Sequence, residues 1–241
     1  MGRWSAIERT ARLQYGPLLA GVDEVGRGPL AGPGVACAIV MPPDKRAISG
    51  VDDSKKLDAR TRELLSVRIL DQALAVALGA ASAREVDRIN IYHATVLAMR
   101  RALWRVDTRL GTAPHHVLVD GNPLRTLGVV HTAVVKGDAK CYAIACASIV
   151  AKVTRDRLMK ALAARYAVYG WERNSGYGTP IHLQALAAHG LTPHHRRRFC
   201  LGVQVSLQFD DAAQPHDLSA TADDDMTADD TTDDILSRVH A

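Results

Sequence analysis

Residues 18–41 read LLAGVDEVGRGPLAGPGVACAIVM and decide the fold. The stretch contains two apolar runs, 18–25 and 35–41, of the kind that forms buried strands. Between them, glycine and proline interrupt the chain and favour a loop over a helix. The sequence therefore predicts a strand, a glycine-rich loop and a second strand, with the acidic pair Asp23 and Glu24 at the end of the first strand.

The chain beyond this stretch alternates between helical and strand patterns. Ser82 and Glu85 have the spacing of a capping box, which marks a helix start. The order of elements indicates an α/β or α+β layer protein. The predicted strands are 73–81, 116–120 and 129–135, and the predicted helices are 57–72, 91–106, 142–166 and 180–189.

Charge is distributed unevenly along the 241 residues, although the formal net charge is only +4. Residues 210–241 contain ten Asp and one Arg, whereas residues 1–209 contain 29 Lys and Arg against 16 Asp and Glu, a net charge of +13. A body this basic predicts a polyanionic partner, with a merely soluble basic surface as the alternative. The acidic tail has few large apolar residues, so we expect residues 210–241 to be disordered.

Composition excludes several classes of protein. The longest apolar stretch, 73–83, is about half the roughly 20 residues that a membrane-spanning helix needs. The N-terminal sequence MGRWSAIERTARL lacks the apolar run of a signal peptide. The four cysteines form no C-x-x-C pair, so we expect buried free thiols in a soluble cytoplasmic protein.

Acidic residues follow the apolar strands at three places: Asp23 with Glu24, Asp120, and Asp138. A carboxylate at the end of an apolar strand is partly desolvated, which costs free energy unless a cation or a donor compensates. Three such strand ends can meet at one edge of a sheet, where hard oxygen ligands suit Mg²⁺ or Mn²⁺ better than zinc. The alternative is that each Asp merely begins a turn.

The glycine-rich loop does not match the common nucleotide-binding fingerprints. Its glycines have the wrong spacing for a dinucleotide site, and the phosphate-loop motif is absent. What remains is a backbone with little side-chain bulk that could lie against a sugar or a phosphate, with Arg27 between Gly26 and Gly28.

Eight motifs together resemble those of type 2 ribonuclease H (ribonuclease HII), in that family's order, over roughly residues 18–200. The resemblance implies a ribonuclease H-like mixed sheet flanked by helices, with a C-terminal helical region. It also implies a metal-dependent endoribonuclease that cuts on the 5′ side of ribonucleotides in RNA/DNA hybrids or embedded in duplex DNA, leaving 5′-phosphate and 3′-hydroxyl ends. The motifs are GVDEVGRGPLAGP (21–33), DDSKKL (52–57), LAMRRAL (97–103), VDGN (119–122), KGDAK (136–140), ASIVAKVTRDR (147–157), GYGT (176–179) and HRRRF (195–199).

The resemblance implies that Asp23, Glu24, Asp120 and Asp138 are the catalytic carboxylates and hold two Mn²⁺ or Mg²⁺ ions. Asp23 would be shared between the ions, Asp138 would complete one site, and Glu24 with Asp120 the other. Neighbouring residues of a regular strand point to opposite faces. Asp23 and Glu24 can therefore both serve only if the strand bends, or if one acts through water or its backbone carbonyl.

The resemblance also implies the residues that bind substrate. Gly26, Arg27 and Gly28 would sense the ribose 2′-hydroxyl, largely with backbone groups, and Tyr177 would pack on the following deoxyribose. We expect Lys55, Lys56 and Lys152 to bind phosphates. The run from His194 to Arg198 either adds to this basic patch or forms a solvated basic face.

We therefore expect an N-terminal lead-in over 1–17, a catalytic domain over 18–209 and a tail over 210–241, in a monomer. One rival is type 3 ribonuclease H, which carries an added N-terminal domain; only about 17 residues precede the first strand here. The other is a nucleic-acid-binding module without activity, which the presence of all four carboxylates disfavours.

The segment Gln204–Phe209 resembles the short peptides that bacterial replication and repair enzymes insert into the sliding clamp. Gln204 would hydrogen-bond at the rim of the clamp pocket, and Leu207 and Phe209 would fill it. Alternatively, Val205, Leu207 and Phe209 alternate as one apolar face that packs on the body.

Overall fold

The computed structural model describes residues 4–201. The strands within this range are β1 (Leu19–Val25), β2 (Gly34–Val40), β3 (Ala75–Ala81), β4 (His116–Asp120) and β5 (His131–Val134). The helices are α1 (Ala6–Tyr15), α2 (Ala59–Gln72), α3 (Ala83–Leu110), α4 (Tyr142–Arg165), α5 (Trp171–Asn174) and α6 (Pro180–His189). The predicted domain limits of 18–209 and the tail from 210 extend beyond the described residues.

The five strands form one mixed sheet in the order β3-β2-β1-β4-β5. The pairs β1–β2 and β2–β3 are antiparallel, whereas β1–β4 and β4–β5 are parallel. Because β1, β4 and β5 run in the same direction, their carboxyl ends share one edge of the sheet. The mixed sheet with flanking helices that the resemblance implies is confirmed.

The long helices α3 and α4 cover the two faces of the sheet. Helix α4 packs on β1 and β2, and α3 packs on β3 and β2. A Cβ atom on Gly21 would lie 2.3 Å from the backbone of Ala143 in α4, and one on Gly79 would lie 2.0 Å from the carbonyl oxygen of Ala98 in α3. Glycine at these two positions lets the helices approach the sheet closely.

The observed helices and strands differ from the predicted ones mainly in where they begin and end. Helix α3 begins at Ala83, behind the predicted capping box, whose two reciprocal hydrogen bonds are present. It is interrupted at Asn90, where φ is +65°, and the Asn90 side chain accepts from the amides of Tyr92 and His93. The second part of α3 therefore begins where the sequence predicts a helix. Strand β5 is shorter than the predicted 129–135.

Helix α1 lies in the lead-in, to which the sequence analysis assigns no element. Ser5 and Glu8 form a capping box at its start. The buried Glu8 carboxylate also accepts hydrogen bonds from the amides of Tyr142 (3.1 Å) and Ala143 (2.8 Å), the first residues of α4. One carboxylate therefore caps two helix N-termini, where a negative charge is favourable, and fixes the start of α4.

Strand β3 forms one edge of the sheet, and arginines of α3 cover its polar groups. Carbonyl groups on an uncovered edge would be open to pairing with another chain. Arg101, Arg105 and Arg109, one turn apart on α3, donate to the carbonyls of Ala80, Leu78 and Val76.

All four cysteines are free and buried, as the sequence predicts. Among residues 4–201, no helix combines the length and the apolar character needed to cross a membrane.

Candidate active site

Asp23 and Asp120 lie at the carboxyl ends of the neighbouring parallel strands β1 and β4. The register pairs Val22 with Val119, and both valines belong to the core on the α3 side. The next residue of each strand points to the other face, toward α4. The sheet therefore brings Asp23 and Asp120 side by side on the face that α4 covers.

Asp138 reaches the same edge through the turn that follows β5. In this turn Lys136 adopts a left-handed conformation with φ +57°, and the amide of Gly137 donates to Asp120 Oδ1 at 2.5 Å. A Cβ atom at position 137 would lie 2.6 Å from the Ile144 side chain. Glycine at this position lets the turn pack closely against Ile144, and Asp138 lies beside Asp120.

The carboxylates at this edge repel one another at partly desolvated positions. Burial raises the pKa of Asp23 well above its usual range, and the negative charges of Glu24 and Asp120 raise it further. Burial also raises the pKa of Asp138, again with a contribution from Asp120. The Ser148 hydroxyl, which lies 2.9 Å from that of Ser54, acts to lower the pKa of Asp23 but does not offset the effect of burial.

Glu24 lies on the opposite face of β1 from Asp23. The one-to-one pairing of β1 with β2 continues through Val25 and Val35, so the strand contains no bulge at the acidic pair. Arg27 lies 3.5 Å from the Glu24 carboxylate, and burial raises the pKa of Glu24 despite this cation. The bend that would turn both side chains to one side is absent, which leaves the alternative of a water or a backbone carbonyl.

We call Asp23, Glu24, Asp120 and Asp138 the carboxylate edge. Within residues 4–201, no three Asp, Glu, His or Cys side chains are already arranged as a metal site. The donor set nevertheless suits a hard divalent cation, because it consists of carboxylate oxygens whose mutual repulsion a cation would relieve.

The glycine loop, residues 26–33, follows directly after β1 and lies against Tyr177. Its amides at Leu30 and Ala31 both donate to the carbonyl of Gly176, at 2.8 and 3.2 Å. A Cβ atom on Gly28 would lie 3.6 Å from the Tyr177 ring, and that ring is 48% exposed. The structure thus places the exposed Arg27 and Gly28 and the exposed Tyr177 ring on one continuous surface.

Each of the three lysines predicted to bind phosphate already contacts a carboxylate. Lys55 lies 3.5 Å from Asp138, so it borders the carboxylate edge. Lys56 pairs with Asp52 at 3.4 Å, and Lys152 pairs with Asp156 at 2.6 Å. Lys55 and Lys56 are exposed, and ion pairs of exposed lysines contribute little free energy, whereas Lys152 is only half-exposed.

The run from His194 to Arg198 divides between interior and surface. Arg197 and Arg198 are exposed, and their amides donate to the Asp87 carboxylate. His195 and Arg196 are buried, with exposures of 2% and 0%. Both surface interpretations are therefore wrong for these two residues, because their polar atoms bond to other parts of the chain.

A buried histidine pair supports the segment that carries Tyr177, and the sequence analysis does not predict it. His182 Nδ1 lies 2.9 Å from the carbonyl oxygen of Tyr177 and must donate, because a carbonyl can only accept. Its Nε2 then accepts from Trp171 Nε1 and from His195 Nε2, at 3.1 and 3.0 Å. Thr192 donates its amide to the remaining nitrogen of His195. This arrangement requires both rings to be neutral.

Comparison with known proteins gives a consistent result. The family model described as Ribonuclease HII matches residues 20–202. A ribonuclease HII of Granulibacter bethesdensis is 50% identical over 208 residues, which cover 85% of this chain and 93% of that protein.

Two solved structures share the fold. The crystal structure of ribonuclease H2 from Pyrococcus horikoshii matches 80% of this chain and 100% of its own, with a TM-score of 0.66 and 27% identity. A structure of the PCNA:RNase HII complex from Archaeoglobus fulgidus matches 76% of this chain and 94% of its own, with a TM-score of 0.60 and 25% identity.

Proposed function

The chain belongs to the ribonuclease HII family, and on this premise we propose how it cuts its substrate. Membership makes it a divalent-metal-dependent ribonuclease H, an endonuclease that acts on RNA/DNA hybrids. Our proposal is that it hydrolyses the phosphodiester on the 5′ side of a ribonucleotide, in hybrids or embedded in duplex DNA. The products would carry 5′-phosphate and 3′-hydroxyl ends, as ribonucleotide excision repair requires.

The observation that carries this proposal is the convergence of Asp23, Asp120 and Asp138 at one sheet edge. Burial and neighbouring carboxylates raise the pKa values of Asp23 and Asp138, so their charged forms are disfavoured, and the Lys55 cation beside Asp138 does not cancel this shift. The four residues of the carboxylate edge would hold two divalent ions, Mg²⁺ or Mn²⁺. Such ions activate the attacking water and stabilise the leaving oxygen of an in-line displacement.

The residues of the carboxylate edge would divide the binding of the two ions between them. Asp23, Asp138 and Asp120 would hold the two ions, with Asp23 contributing to both sites, Asp138 to one and Asp120 to the other. Glu24 would contribute to the latter through a water or its backbone carbonyl, because its side chain lies on the other face. Ser148 would support this arrangement, because its hydroxyl favours the charged form of Asp23.

Recognition of the ribonucleotide falls to the surface formed by the glycine loop and Tyr177. Backbone groups of Gly26, Arg27 and Gly28 would contact the 2′-hydroxyl, and the Tyr177 ring would pack on the next sugar. A ribose there would place a hydroxyl against the ring, so a following deoxyribose is favoured. Lys55, Lys56 and Lys152 would add salt-dependent affinity for the phosphates.

A duplex with one embedded ribonucleotide, incubated with Mg²⁺ or Mn²⁺, tests the proposal. We expect a single nick on the 5′ side of the ribonucleotide, a ligatable 3′-hydroxyl, and no cleavage of the matched all-DNA duplex. Absence of a nick in either metal, or a nick on the 3′ side, would contradict the proposed reaction.

We also propose that Gln204–Phe209 binds a sliding clamp in the cytoplasm. This segment lies outside the described residues. Support comes from its sequence and from the Archaeoglobus fulgidus RNase HII, whose structure is that of a complex with PCNA. Titration of the whole protein against the host clamp should show binding that the double substitution Leu207→Ala with Phe209→Ala removes. Absence of binding, or binding that survives this double substitution, would refute the proposal.

A further inference from the structure

Two buried arginines lie behind the glycine loop. Arg155 is 1% exposed and Arg196 is fully buried. Neither forms a salt bridge with a carboxylate of residues 4–201. Burial lowers their pKa values, to about 10 for Arg155 and about 9 for Arg196, so both remain charged at neutral pH. We call these two residues the arginine clamp.

Both guanidinium groups direct all of their hydrogen bonds to backbone carbonyls. Such bonds compensate a buried charge that has no counter-ion. Arg196 donates to the carbonyls of Gly26, Arg27 and Gly32, and Arg155 donates to those of Ala31, Pro33 and Ser175.

Two glycines of the loop make room for the clamp. A Cβ atom on Gly26 would lie 2.2 Å from Arg155 Nε, and one on Gly32 would lie 3.3 Å from Arg155 Nη2 and 2.3 Å from Met159 Sδ. Both glycines also have positive φ, +91° and +85°, which other residues rarely adopt. The loop sequence and the buried arginines therefore form one unit.

The clamp determines which way the loop amides point. In a trans peptide the C=O and N–H groups point in opposite directions, and residues 4–201 contain no cis peptide bond. Because the carbonyls of Gly26 and Arg27 point inward to Arg196, the amides of Arg27 and Gly28 point outward. Neither amide donates to another group of the described chain.

We propose that Arg155 and Arg196 are positioning residues that hold the Arg27 and Gly28 amides ready to donate to a ribose 2′-hydroxyl. The clamp thereby sets the discrimination between ribo- and deoxyribonucleotides, an inference that rests on the proposed function. Arg155 positions the other side of the same pocket as well, because it binds the carbonyl of Ser175, two residues before Tyr177.

The test measures duplex binding in a protein that does not cleave. Asp138→Asn is therefore the parent into which every other substitution is introduced. Two labelled duplexes of one sequence are compared, one with a single ribonucleotide and one all-DNA. The variants are Arg196→Lys and Arg155→Lys, which keep the charge but lose the planar fork that reaches several carbonyls at once. The matched control is Arg105→Lys, since Arg105 also donates to a backbone carbonyl but on the far edge of the sheet.

The parent and the control should prefer the ribonucleotide duplex by about tenfold, the worth of one or two hydrogen bonds. Both clamp variants should bind the two duplexes within about twofold of each other, with little change in affinity for all-DNA. Equal affinity in the parent would overturn the proposed recognition and this inference with it. A preference that survives in both variants would overturn only the inference.

Hydrogen exchange on the parent provides a second test that needs no clamp variant. The amides of Arg27 and Gly28 should exchange rapidly in the free protein. They should become protected by the ribonucleotide duplex and not by the all-DNA duplex. Equal protection by both, or by neither, would overturn the inference even if the lysine variants fail to fold.

Discussion

The carboxylate edge lies at the carboxyl end of β1, and the arginine clamp lies behind the glycine loop that follows. The two bury charges of opposite sign. In the clamp, the carbonyls that accept from Arg155 and Arg196 compensate the charge within the protein. At the carboxylate edge, Asp23, Asp120 and Asp138 lie close together, and the Lys55 cation beside Asp138 offsets their repulsion only in part. The charges of the clamp are therefore compensated in the free protein, whereas those of the carboxylate edge need a bound cation to be compensated fully. This difference separates a structural use of buried charge from a catalytic one.

The largest expected effect comes from removing one charge of the carboxylate edge. Asp138→Asn should lower the cleavage rate at an embedded ribonucleotide by roughly a thousandfold or more, because a ligand of one catalytic ion is lost. The affinity of Asp138→Asn for the duplex should stay within a few-fold of that of wild type. The exposed Asp71→Asn serves as the control with full activity. Cleavage that persists in Asp138→Asn would refute the assignment of Asp138.

Neutralising a clamp residue should act on stability instead. Arg155→Met leaves the carbonyls of Ala31, Pro33 and Ser175 without their donors, and should lower the free energy of unfolding by about 3 kcal/mol. The exposed Arg68→Met should change it by less than about 0.5 kcal/mol. Urea denaturation of both variants measures the difference, and equal stabilities would show that the clamp carbonyls find other partners.

The histidine pair behind Tyr177 should make stability depend on pH. Burial, with the neighbouring His182 and His194, lowers the pKa of His195 to about 4, below the value of 6.5 for an unperturbed histidine. The unfolded chain therefore binds more protons between these values, so stability falls as pH drops from 6.5 toward 4.

Substitution of His195 isolates this contribution. The stability gap between wild type and His195→Gln should narrow by about 1–2 kcal/mol between pH 7 and pH 5, because glutamine does not titrate. Urea denaturation at the two pH values measures the gap. A gap that is constant or widens at acidic pH would contradict the neutral histidine pair.

The smallest expected effect concerns Lys55, at the border of the carboxylate edge. Lys55→Ala should weaken duplex binding a few-fold. It should also reduce the slope of log affinity against log salt concentration by about one, the contribution of one phosphate contact. The solvent-exposed Lys160→Ala, outside the predicted patch, is the control. An unchanged salt slope in Lys55→Ala would exclude Lys55 as a phosphate contact.

The carboxylate edge could be predicted from the sequence because its information is local. Asp23 and Asp120 lie near the carboxyl ends of apolar strands, and Asp138 lies in the turn after a third; the shared direction of β1, β4 and β5 brings these positions together. The sequence also raised the conflict between Asp23 and Glu24. It could not resolve that conflict, since the regular pairing through Val25 depends on β2.

The arginine clamp could not be predicted in this way. Arg196 lies in a run of basic residues that is typical of a surface, and its partners lie more than 160 residues earlier in the chain. No local pattern reveals a guanidinium that bonds to distant carbonyls. Helix α1 is a different case, because Ser5 and Glu8 repeat the capping-box spacing that correctly marked Ser82 and Glu85.

Thermal unfolding with and without a divalent ion tests the central claim most directly, namely that the carboxylate edge requires an external cation. Wild type and Asp23→Asn are melted in chelator and in Mn²⁺, with Asp107→Asn as a control carboxylate outside the edge. Mn²⁺ should raise the melting temperature of wild type and of the control by several degrees. In chelator, Asp23→Asn should melt above wild type, because the substitution relieves the repulsion among the carboxylates. Mn²⁺ should then raise the melting temperature of Asp23→Asn only slightly. A wild-type melting temperature that Mn²⁺ leaves unchanged, or an Asp23→Asn protein that melts below wild type in chelator, would contradict the account.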